Sequence, residues 1–316
     1  MNLGYLAEIT FLGTGATLPT TERFLPGILV RDRMGDVILL DVGEGAQFRL
    51  AQLNVSPSSI DVIAITHEHG DHVNGLPGLL QSMYVSGRSR RLTIVAPASV
   101  AQFISEALAG EDGLGFEVDV VVARGRGSIE VGRSSGDTLT LGWFPVCHTV
   151  EAYGYTLEWR LRPRVSIERV EALGLKPGPW IRDLIERGEV RVGDVRVKLE
   201  DVVEARGVTV KLSYTGDTAP CDVYVESVRG SRILIHDSTF HSELESEATS
   251  RGHSTSRDAA LKAREADVEL LALTHISSRY RGFEARRLLE EARGVFPNTI
   301  LARDLLRVTL GAHSVR

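Results

Sequence analysis

The densest cluster of side chains that could do chemistry lies in residues 66–72, whose sequence is THEHGDH. Three imidazoles and two carboxylates fall within this segment, and these groups together are typical ligands of zinc and neighbouring divalent metals. Along an extended segment, His67 and His69 lie on one side and can bind one ion. Asp71 and His72 follow a glycine turn and can bind a second ion. The alternative is a solvated polar loop, but imidazoles this closely spaced repel one another when protonated and gain nothing structurally.

Three further candidate ligands each lie at the C-terminal end of a strand-like segment: His148, Asp217 and His275. The cluster at 66–72 likewise follows the strand-like residues 60–65. Because the carboxyl ends of strands in α/β proteins meet at one edge of the sheet, we expect all of these side chains to converge. A single histidine or aspartate at a strand end is more often a hydrogen-bonded loop residue. The prediction of a metal site therefore depends on the occurrence of all these candidate ligands together.

Alternating strand-like and helix-like segments predict the mixed α/β fold class that would position these side chains. Strand patterns cover residues 8–12, 28–30, 37–40, 60–65, 92–95, 138–146, 153–159, 208–212, 270–274 and 299–301. Helix patterns end near residue 53 and cover 99–108, 254–266 and 283–292. With 316 residues, of which 43% are hydrophobic, the chain is long enough to bury a sizeable core.

The net charge of −6 does not by itself indicate a nucleic-acid-binding protein. Residues 160–196 differ from the rest, because they contain nine Lys or Arg against six Asp or Glu and show no strand pattern. Two short amphipathic segments, 167–173 and 180–187, flank the sequence GLKPGP at 174–179, which predicts an irregular, bent connection. A positive insertion in an acidic protein favours a local anionic partner, and an ordinary surface insertion is the alternative.

The sequence also gives expectations about cellular location and cysteine chemistry. No apolar stretch approaches the length of a membrane span, and the N-terminal residues lack the regions typical of a signal peptide. We therefore expect no membrane association and a cytoplasmic location. The two cysteines, Cys147 and Cys221, do not make a disulfide framework, and we expect Cys147 to be a buried thiol.

The pattern His-x-His-x-Asp-His at 67–72 resembles the metallo-β-lactamase superfamily. The resemblance implies a single domain over residues 1–316, folded as an αββα sandwich in which two mixed sheets face each other and helices cover their outer faces. It also implies two bound metal ions, expected to be Zn²⁺, with Mn²⁺ or another divalent ion as the alternative. The implied ligands are His67, His69 and His148 for one ion, Asp71, His72 and His275 for the other, and Asp217 as the bridge between them.

Four further features resemble the short form of the transfer-RNA 3′-processing endonuclease family, also called ribonuclease Z. They are LGTGA at 12–16 with Pro19 and Arg23, LDVGEGAQ at 40–47, the GLKPGP segment, and HDSTF at 236–240 followed by GHST at 252–255. The chain departs from the usual family pattern at Asp237, where the family has glutamate, and at Phe24, where it has asparagine. Asp237 keeps the charge on a side chain that is one methylene shorter.

This second resemblance implies an endoribonuclease that removes the 3′ trailer of precursor tRNA. The tRNA would keep a 3′-hydroxyl and the trailer a 5′-phosphate. It also implies a homodimer in which residues 160–196 of one subunit form an arm that presents the tRNA to the metals of the other. The substrate contacts expected on the arm are Lys176, Pro177, Gly178 and Pro179.

The implied catalytic residues are Asp71, His253 and Asp237. Asp71 would orient or deprotonate the attacking water, and His253, hydrogen-bonded to Asp237, would protonate the leaving oxygen. Two alternatives remain open. A small-molecule hydrolase of the same fold, of phosphodiesterase, sulfatase or thioesterase type, would need no basic arm. A noncatalytic RNA-binding protein would need no metal ligands.

Overall fold

The computed structural model of the chain describes residues 5–108, 115–134, 136–312 and 315. Within them the strands are β1 (Tyr5–Gly13), β2 (Gly15–Ala16), β3 (Gly27–Asp32), β4 (Val37–Leu40), β5 (Val62–Ala64), β6 (Leu92–Ala96), β7 (Val118–Val122), β8 (Gly127–Ser134), β9 (Asp137–Pro145), β10 (Tyr153–Leu161), β11 (Arg164–Val165), β12 (Glu189–Val192), β13 (Val195–Lys198), β14 (Val203–Ala205), β15 (Val208–Tyr214), β16 (Ile233–Asp237), β17 (Leu270–Thr274), β18 (Ile276–Ser277), β19 (Thr299–Leu301) and β20 (Arg307–Gly311).

The α-helices of the same residues are α1 (Ala46–Gln52), α2 (Gly70–Val73), α3 (Leu76–Val85), α4 (Ala98–Leu108), α5 (Ile167–Ala172), α6 (Trp180–Arg187), α7 (Leu199–Val202), α8 (Val225–Val228), α9 (Glu245–Ser250), α10 (Ser256–Glu265) and α11 (Phe283–Arg293). Short 3₁₀ helices lie at Pro57–Ser59 and Ser242–Leu244. No helix in the described ranges is both long enough and apolar enough to cross a membrane.

Two large mixed sheets pack face to face. In the described part of the chain, the strand order is β20-β1-β3-β4-β5-β6-β7 in the first sheet and β19-β17-β16-β15-β10-β9-β8 in the second. Buried side chains of both sheets fill one hydrophobic cluster, which includes Ile9 and Val30 of the first sheet and Trp159 and Leu212 of the second. Facing sheets that share a core in this way form a sandwich.

Helices cover the outer faces of both sheets. Leu50 of α1 and Leu79 of α3 pack with Ile63 on the outer face of the first sheet. Ala260 of α10 packs with Leu271 on the outer face of the second sheet. The predicted mixed α/β fold with an αββα sandwich is therefore confirmed.

Helix α3 was not predicted from the sequence pattern, and its composition explains why. It contains Pro77 and Gly78, the two residue types with the lowest helix propensity. Pro77 lies in the first turn, where its missing N–H costs no intrahelical hydrogen bond. The helix is stabilised by tertiary packing, because Leu79 and Met83 are fully buried against the first sheet.

The carboxyl ends of several strands meet at one edge of the sandwich. Strands β15, β16 and β17 are parallel neighbours, so all three end on the same side. At the start of β10, the Tyr153 N–H donates to the carbonyl of Thr66, just beyond β5, at 3.0 Å. This contact brings the ends of the two sheets together, and we call this side of the molecule the ligand edge.

A separate lobe is inserted in the second sheet. The chain leaves β10 at Leu161 and returns to β15 at Val208, and these two residues pair in register. Between them, residues 162–207 form what we call the arm, in which β11 pairs with β14 and β12 with β13. The arm has its own small buried cluster, made of Val170, Leu184, Val197 and Val202.

The structure changes the expectation for this region in three respects. Helices α5 and α6 and the irregular GLKPGP loop agree with the predicted pattern. The expected absence of strands is wrong, because β12 and β13 form a hairpin. The sequence contains a signal for it that the prediction missed, since valines alternate with polar residues on both sides of Gly193-Asp194. The arm also extends to 207 rather than 196. Over 162–207 it has ten Lys or Arg and nine Asp or Glu, a net charge of +1 instead of +3.

The arm emerges at the end of the second sheet that lies away from the ligand edge. Strand β10 begins beside Thr66 and runs for nine residues to the base of the arm. At about 3.3 Å per residue, the base of the arm lies about 26 Å from the ligand edge.

Candidate metal centre

All seven predicted metal ligands lie together at the ligand edge. His67 and His69 follow β5, and Asp71 and His72 lie on the short helix α2. The other three ligands follow β9, β15 and β17. Their potential ligand atoms fall into two adjoining groups, each within 4.8 Å: His67, His69, His148 and Asp217 in one, and Asp71, His72 and His275 in the other.

The first group is built from three imidazole nitrogens that face one another. His69 Nδ1 lies 3.0 Å from His67 Nε2 and 3.1 Å from His148 Nε2. Burial lowers the pKa of both His67 and His148. These rings are therefore held neutral, so each keeps a nitrogen lone pair for a metal ion.

The second group combines two imidazoles with a carboxylate. His275 Nε2 lies 3.4 Å from His72 Nε2 and 3.3 Å from Asp71 Oδ2. Burial opposes protonation of His72, but the charges of Asp217, Asp41 and Asp71 outweigh it and raise its pKa. In the absence of a metal, a proton on His72 thus offsets the negative charge of the surrounding carboxylates. A divalent cation bound there would neutralise the same charge.

Asp217 lies between the two groups and faces each with a different oxygen. Its Oδ1 is 3.3 Å from both His72 Nε2 and His275 Nε2. Its Oδ2 is 3.7 Å from His67 Nε2 and 4.0 Å from His148 Nε2. Oδ1 is buried, and no group among the described residues donates it a well-aligned hydrogen bond. A buried carboxylate oxygen without a donor fits a metal ligand, so the residues present fit two bridged ions.

Asp41 orients ligands of both groups. It accepts a hydrogen bond from His72 Nδ1 at 2.8 Å and one from the Thr66 hydroxyl at 3.0 Å. Since that hydroxyl has one proton and donates it to Asp41, it accepts from His67 Nδ1, which is 2.9 Å away. These bonds leave Nε2 of His67 and His72 free to bind metal. The Tyr214 hydroxyl also donates to Asp41, at 2.8 Å.

Asp237 makes a corresponding arrangement on the other side of the site. The Thr239 hydroxyl donates to Asp237 at 2.7 Å and accepts from His275 Nδ1 at 2.8 Å. Asp237 also accepts directly from His253 Nδ1 at 2.9 Å, so the shorter side chain still reaches this histidine. Burial opposes protonation of His253, but Asp237 outweighs it and raises the pKa of His253 to about 9.

Asp41, Thr66 and Thr239 were not assigned a role from the sequence. All three lie inside or beside motifs that the sequence singled out, but their role depends on which histidine nitrogen they face. Asp41 also has a backbone φ of 57°, in the left-handed region that non-glycine residues rarely adopt. A strained, fully buried carboxylate at a strand end is the one available signal that it is functional.

The N-terminal loop contacts the site through Asp71. The backbone N–H of Thr17 donates to Asp71 Oδ2 at 2.8 Å. Burial opposes ionisation of Asp71, but the neighbouring His72 and His275 outweigh it and hold its pKa well below the usual range. Phe24, which departs from the family pattern, lies under the Arg49 guanidinium at 3.7 Å from the ring centre.

The structure corrects the expectation for the cysteines. Cys147 and Cys221 form a disulfide, with their Cα atoms 6.4 Å apart. The Cys147 carbonyl also accepts from the Ala219 N–H at 2.7 Å. The loop that carries His148 is thus joined to the loop that follows Asp217. The pairing could not be expected from the sequence, because 74 residues separate the two cysteines.

The predicted substrate residues lie elsewhere. Lys176, Pro177, Gly178 and Pro179 form part of the loop between α5 and α6 on the arm, and the lysine and both prolines are exposed. The Trp180 indole N–H donates to the carbonyl of Lys176 at 3.1 Å and holds the loop against the start of α6.

Comparisons with known structures define the class of fold. The metallo-β-lactamase fold protein YhfI from Bacillus subtilis superposes with a TM-score of 0.68 and 18% identity, over 96% of this chain and 99% of that one. The short form of human tRNase Z superposes with a TM-score of 0.67 and 23% identity, also over 96% and 99% of the two chains. The two facing sheets with paired ligand groups at one edge therefore form a metallo-β-lactamase fold.

Comparisons of sequence define the family. The sequence profile described as anti-Pycsar protein Apyc1 matches residues 7–114, about a third of the chain. Ribonuclease Z of Aeropyrum pernix is 50% identical over 304 residues, which cover 96% of this chain and 98% of that protein. Ribonuclease Z of Methanothermobacter thermautotrophicus is 39% identical and covers 98% of both chains. The chain belongs to the ribonuclease Z family.

Proposed function

We propose that this protein is a divalent-metal-dependent endoribonuclease that removes the 3′ trailer of precursor tRNA. The observation that carries the proposal is the occurrence of the complete two-group ligand set in a chain that matches ribonuclease Z over nearly its full length. The human relative of the same fold is a tRNase Z, which agrees with tRNA as the substrate.

The proposed cofactors are two Zn²⁺ ions, with Mn²⁺ or another divalent ion as the alternative. His67, His69 and His148 would hold one, Asp71, His72 and His275 the other, and Asp217 both. The chemistry supplied by two such ions is neutralisation of charge at the scissile phosphate and a lowered pKa for the attacking water.

Asp71 is the residue proposed to handle the attacking water. Its Oδ2 is already fixed by the Thr17 N–H, so the carboxylate is held in one orientation. The carboxylate would orient the water or accept its proton as the water attacks phosphorus.

His253 is proposed to protonate the leaving oxygen. Its Nδ1 is held by Asp237, which directs Nε2 away from that carboxylate and stabilises the protonated ring. Transfer of the Nε2 proton would give a 3′-hydroxyl on the tRNA and leave a 5′-phosphate on the trailer. The His253 side chain is 13% exposed, which leaves access for an RNA oxygen.

The arm is proposed to bind the body of the tRNA through Lys176, Pro177, Gly178 and Pro179. Since the arm starts about 26 Å from the ligand edge of its own subunit, we propose a homodimer in which it serves the metal centre of the partner. The net charge of +1 gives little support to this role, and the exposed, proline-stiffened loop gives more. A single domain with this arm and a cytoplasmic location are proposed as well.

The direct test is incubation of the full-length protein, loaded with Zn²⁺ or Mn²⁺, with end-labelled precursor tRNA, followed by mapping of the cut. We expect one cut at the junction between the tRNA and the trailer, with a 3′-hydroxyl upstream. Hydrolysis of bis(p-nitrophenyl) phosphate without cleavage of the tRNA would favour the small-molecule hydrolase. RNA binding with neither activity in the reconstituted protein would favour the noncatalytic protein.

A further inference from the structure

A cavity of about 540 Å³ lies beside the N-terminal loop and α11. Its charged lining consists of Glu22, Arg23, Arg286, Arg293, Arg303 and Asp304, and we call it the arginine pocket. Four cations and two carboxylates line this cavity, in a protein whose net charge is −6. The local excess of positive charge is therefore opposite in sign to the molecule as a whole.

The Asp304 carboxylate only partly offsets the positive charge of the pocket, because groups outside the pocket also bind it. It accepts from the Thr14 hydroxyl at 2.8 Å and from the Phe24 N–H at 2.7 Å. It also forms an ion pair with Arg49, which does not line the pocket. Arg49 thus shares the charge of Asp304 from outside the pocket, and Asp304 and Glu22 both act on Arg23.

Two of the pocket's arginines are available for a ligand. Across the ranges that the structure describes, no side chain or carbonyl pairs with the exposed Arg303 guanidinium. Arg286 pairs with Glu290 of its own helix at 3.3 Å, but its side chain is 71% exposed, so this pair is easily exchanged.

Arg23 is buried at the back of the pocket and close to Arg303. Its Nη1 donates to Thr14 and to the carbonyl of Ala302. Burial lowers the pKa of Arg23, the charges of Asp304 and Glu22 oppose this effect, and the charge of Arg303 adds to it. Four guanidinium groups line the cavity against two carboxylates, one of which also pairs with Arg49, so the lining keeps an excess of positive charge that an anion would offset.

The pocket is structurally connected to the metal centre. Strand β2 pairs with β18, which begins directly after His275. The loop that follows β2 then contacts Asp71 through Thr17 and reaches the pocket at Glu22 and Arg23. One short loop therefore forms part of both sites, and the chain from Thr17 to Arg23, which are six positions apart, can span at most about 20 Å.

We propose that the arginine pocket binds a backbone phosphate of the single-stranded RNA trailer on the 3′ side of the cut. This inference rests on the proposed function. A cavity of this volume fits one nucleotide, whereas the double-stranded part of the tRNA is too wide to enter it. The trailer is a single-stranded part of the substrate that begins at the cut, and planar guanidinium groups match the geometry of its phosphates.

The test measures the binding of a 5′-phosphorylated, fluorescent 12-nucleotide trailer RNA, which is a product and is not cleaved at the junction. The metal-loaded protein is compared with the double variant Arg286→Ala/Arg303→Ala by fluorescence anisotropy. We expect the variant to bind about 10-fold more weakly, and the slope of log K against log salt to fall by about 0.7 per lost phosphate contact. The matched control is Arg287→Ala, because Arg287 lies on the same helix but pairs with Glu243 and Glu284 outside the pocket.

A kinetic experiment compares the cleavage of precursor tRNAs whose trailers have one or twelve nucleotides. The double variant should raise KM for the long trailer and leave the short one unchanged. The proposal would be overturned if Arg287→Ala weakened RNA binding as much as the double variant does. It would also be overturned if the double variant raised KM equally for both trailer lengths. Inorganic phosphate that binds as tightly as the RNA would also overturn it and identify a small-anion site. If the unchanged protein cleaves no precursor tRNA, the proposed function fails, while the anisotropy series still decides whether the pocket binds single-stranded RNA.

Discussion

The metal centre and the arm are stabilised in opposite ways. At the metal centre, buried carboxylates hold the histidine rings, and Asp41 and Asp237 are fully buried. On the arm, the ion pairs lie in solvent, as for Arg182 with Glu186, where the arginine side chain is 79% exposed. The arm's hydrophobic cluster contains four buried residues, whereas the core between the two sheets draws on nearly every strand.

This difference agrees with the different tasks proposed for the two regions. Chemistry at a phosphate depends on ligand positions fixed in advance, which low-dielectric surroundings and second hydrogen bonds provide. Binding of the tRNA body far from the cut depends on exposed side chains that can change conformation. The affinity of such contacts should fall as the salt concentration rises. Changes of the proposed metal ligands should therefore alter turnover and metal content, and changes on the arm should alter KM for the tRNA.

The largest effect is expected from Asp217→Asn. The amide keeps the size of the side chain but loses the charge that faces both ligand groups. We expect metal content to fall below two ions per chain and turnover to fall by more than the roughly 10²–10⁴-fold expected from loss of a general acid. Elemental analysis by mass spectrometry after reconstitution, together with the cleavage rate, measures both. A variant that retains two ions and near-normal activity would remove Asp217 from the bridging role.

The next largest effect is expected from His253→Ala. If His253 protonates the leaving oxygen, kcat for precursor tRNA should fall by about 10²–10⁴ while metal content stays unchanged. A phosphodiester with a p-nitrophenol leaving group needs little protonation and should lose far less activity. If kcat fell by the same factor on both substrates, His253 would not be the acid, and its role would be to maintain the structure of the site.

Removal of the arm should have a smaller effect, confined to the large substrate. Because Leu161 and Val208 pair in register, an Asn-Gly dipeptide in place of residues 162–207 should close β10 and β15 into a hairpin. We expect KM for precursor tRNA to rise by about 10–100-fold with a flatter salt dependence, and turnover of bis(p-nitrophenyl) phosphate to be unchanged.

Single substitutions on the arm sharpen that test. Lys176→Ala removes a cation from the loop proposed to contact tRNA, and Arg182→Ala removes one that pairs with Glu186 on α6. We expect KM to rise more for Lys176→Ala. Unchanged tRNA affinity after removal of the whole arm would make the arm an ordinary surface insertion.

The smallest effect on turnover is expected from Cys147→Ser/Cys221→Ser. The disulfide closes a loop between residues 74 positions apart, so its loss should lower the free energy of unfolding by about 2–4 kcal/mol. Thermal unfolding should show a lower midpoint that reductant no longer changes, whereas reductant should lower the midpoint of the unchanged protein. Detection of two free thiols in the denatured, unreduced protein would show that the disulfide does not form.

The sequence by itself predicted the seven candidate ligands and the class of fold. His67, His69, Asp71 and His72 lie within six residues, so local geometry alone brings them near one another. His148, Asp217 and His275 could be selected because each follows a strand-like run, and strand ends meet at one edge. Alternating patterns predicted the mixed α/β class, and the resemblance that the ligand motif carries implied the αββα sandwich.

Only the tertiary structure showed which groups form hydrogen bonds to each candidate ligand and where the arm lies relative to the ligand edge. The role of Thr66 depends on Asp41, which is 25 residues away and accepts its hydroxyl proton, and Thr239 meets His275 only because β16 and β17 pair. The Cys147–Cys221 disulfide and the arginine pocket join segments 74 or more residues apart, and no local pattern reports such contacts. Sequence periodicity predicts which face of a helix or strand is buried. It does not predict which other element packs against that face, because this contact forms only in the folded chain.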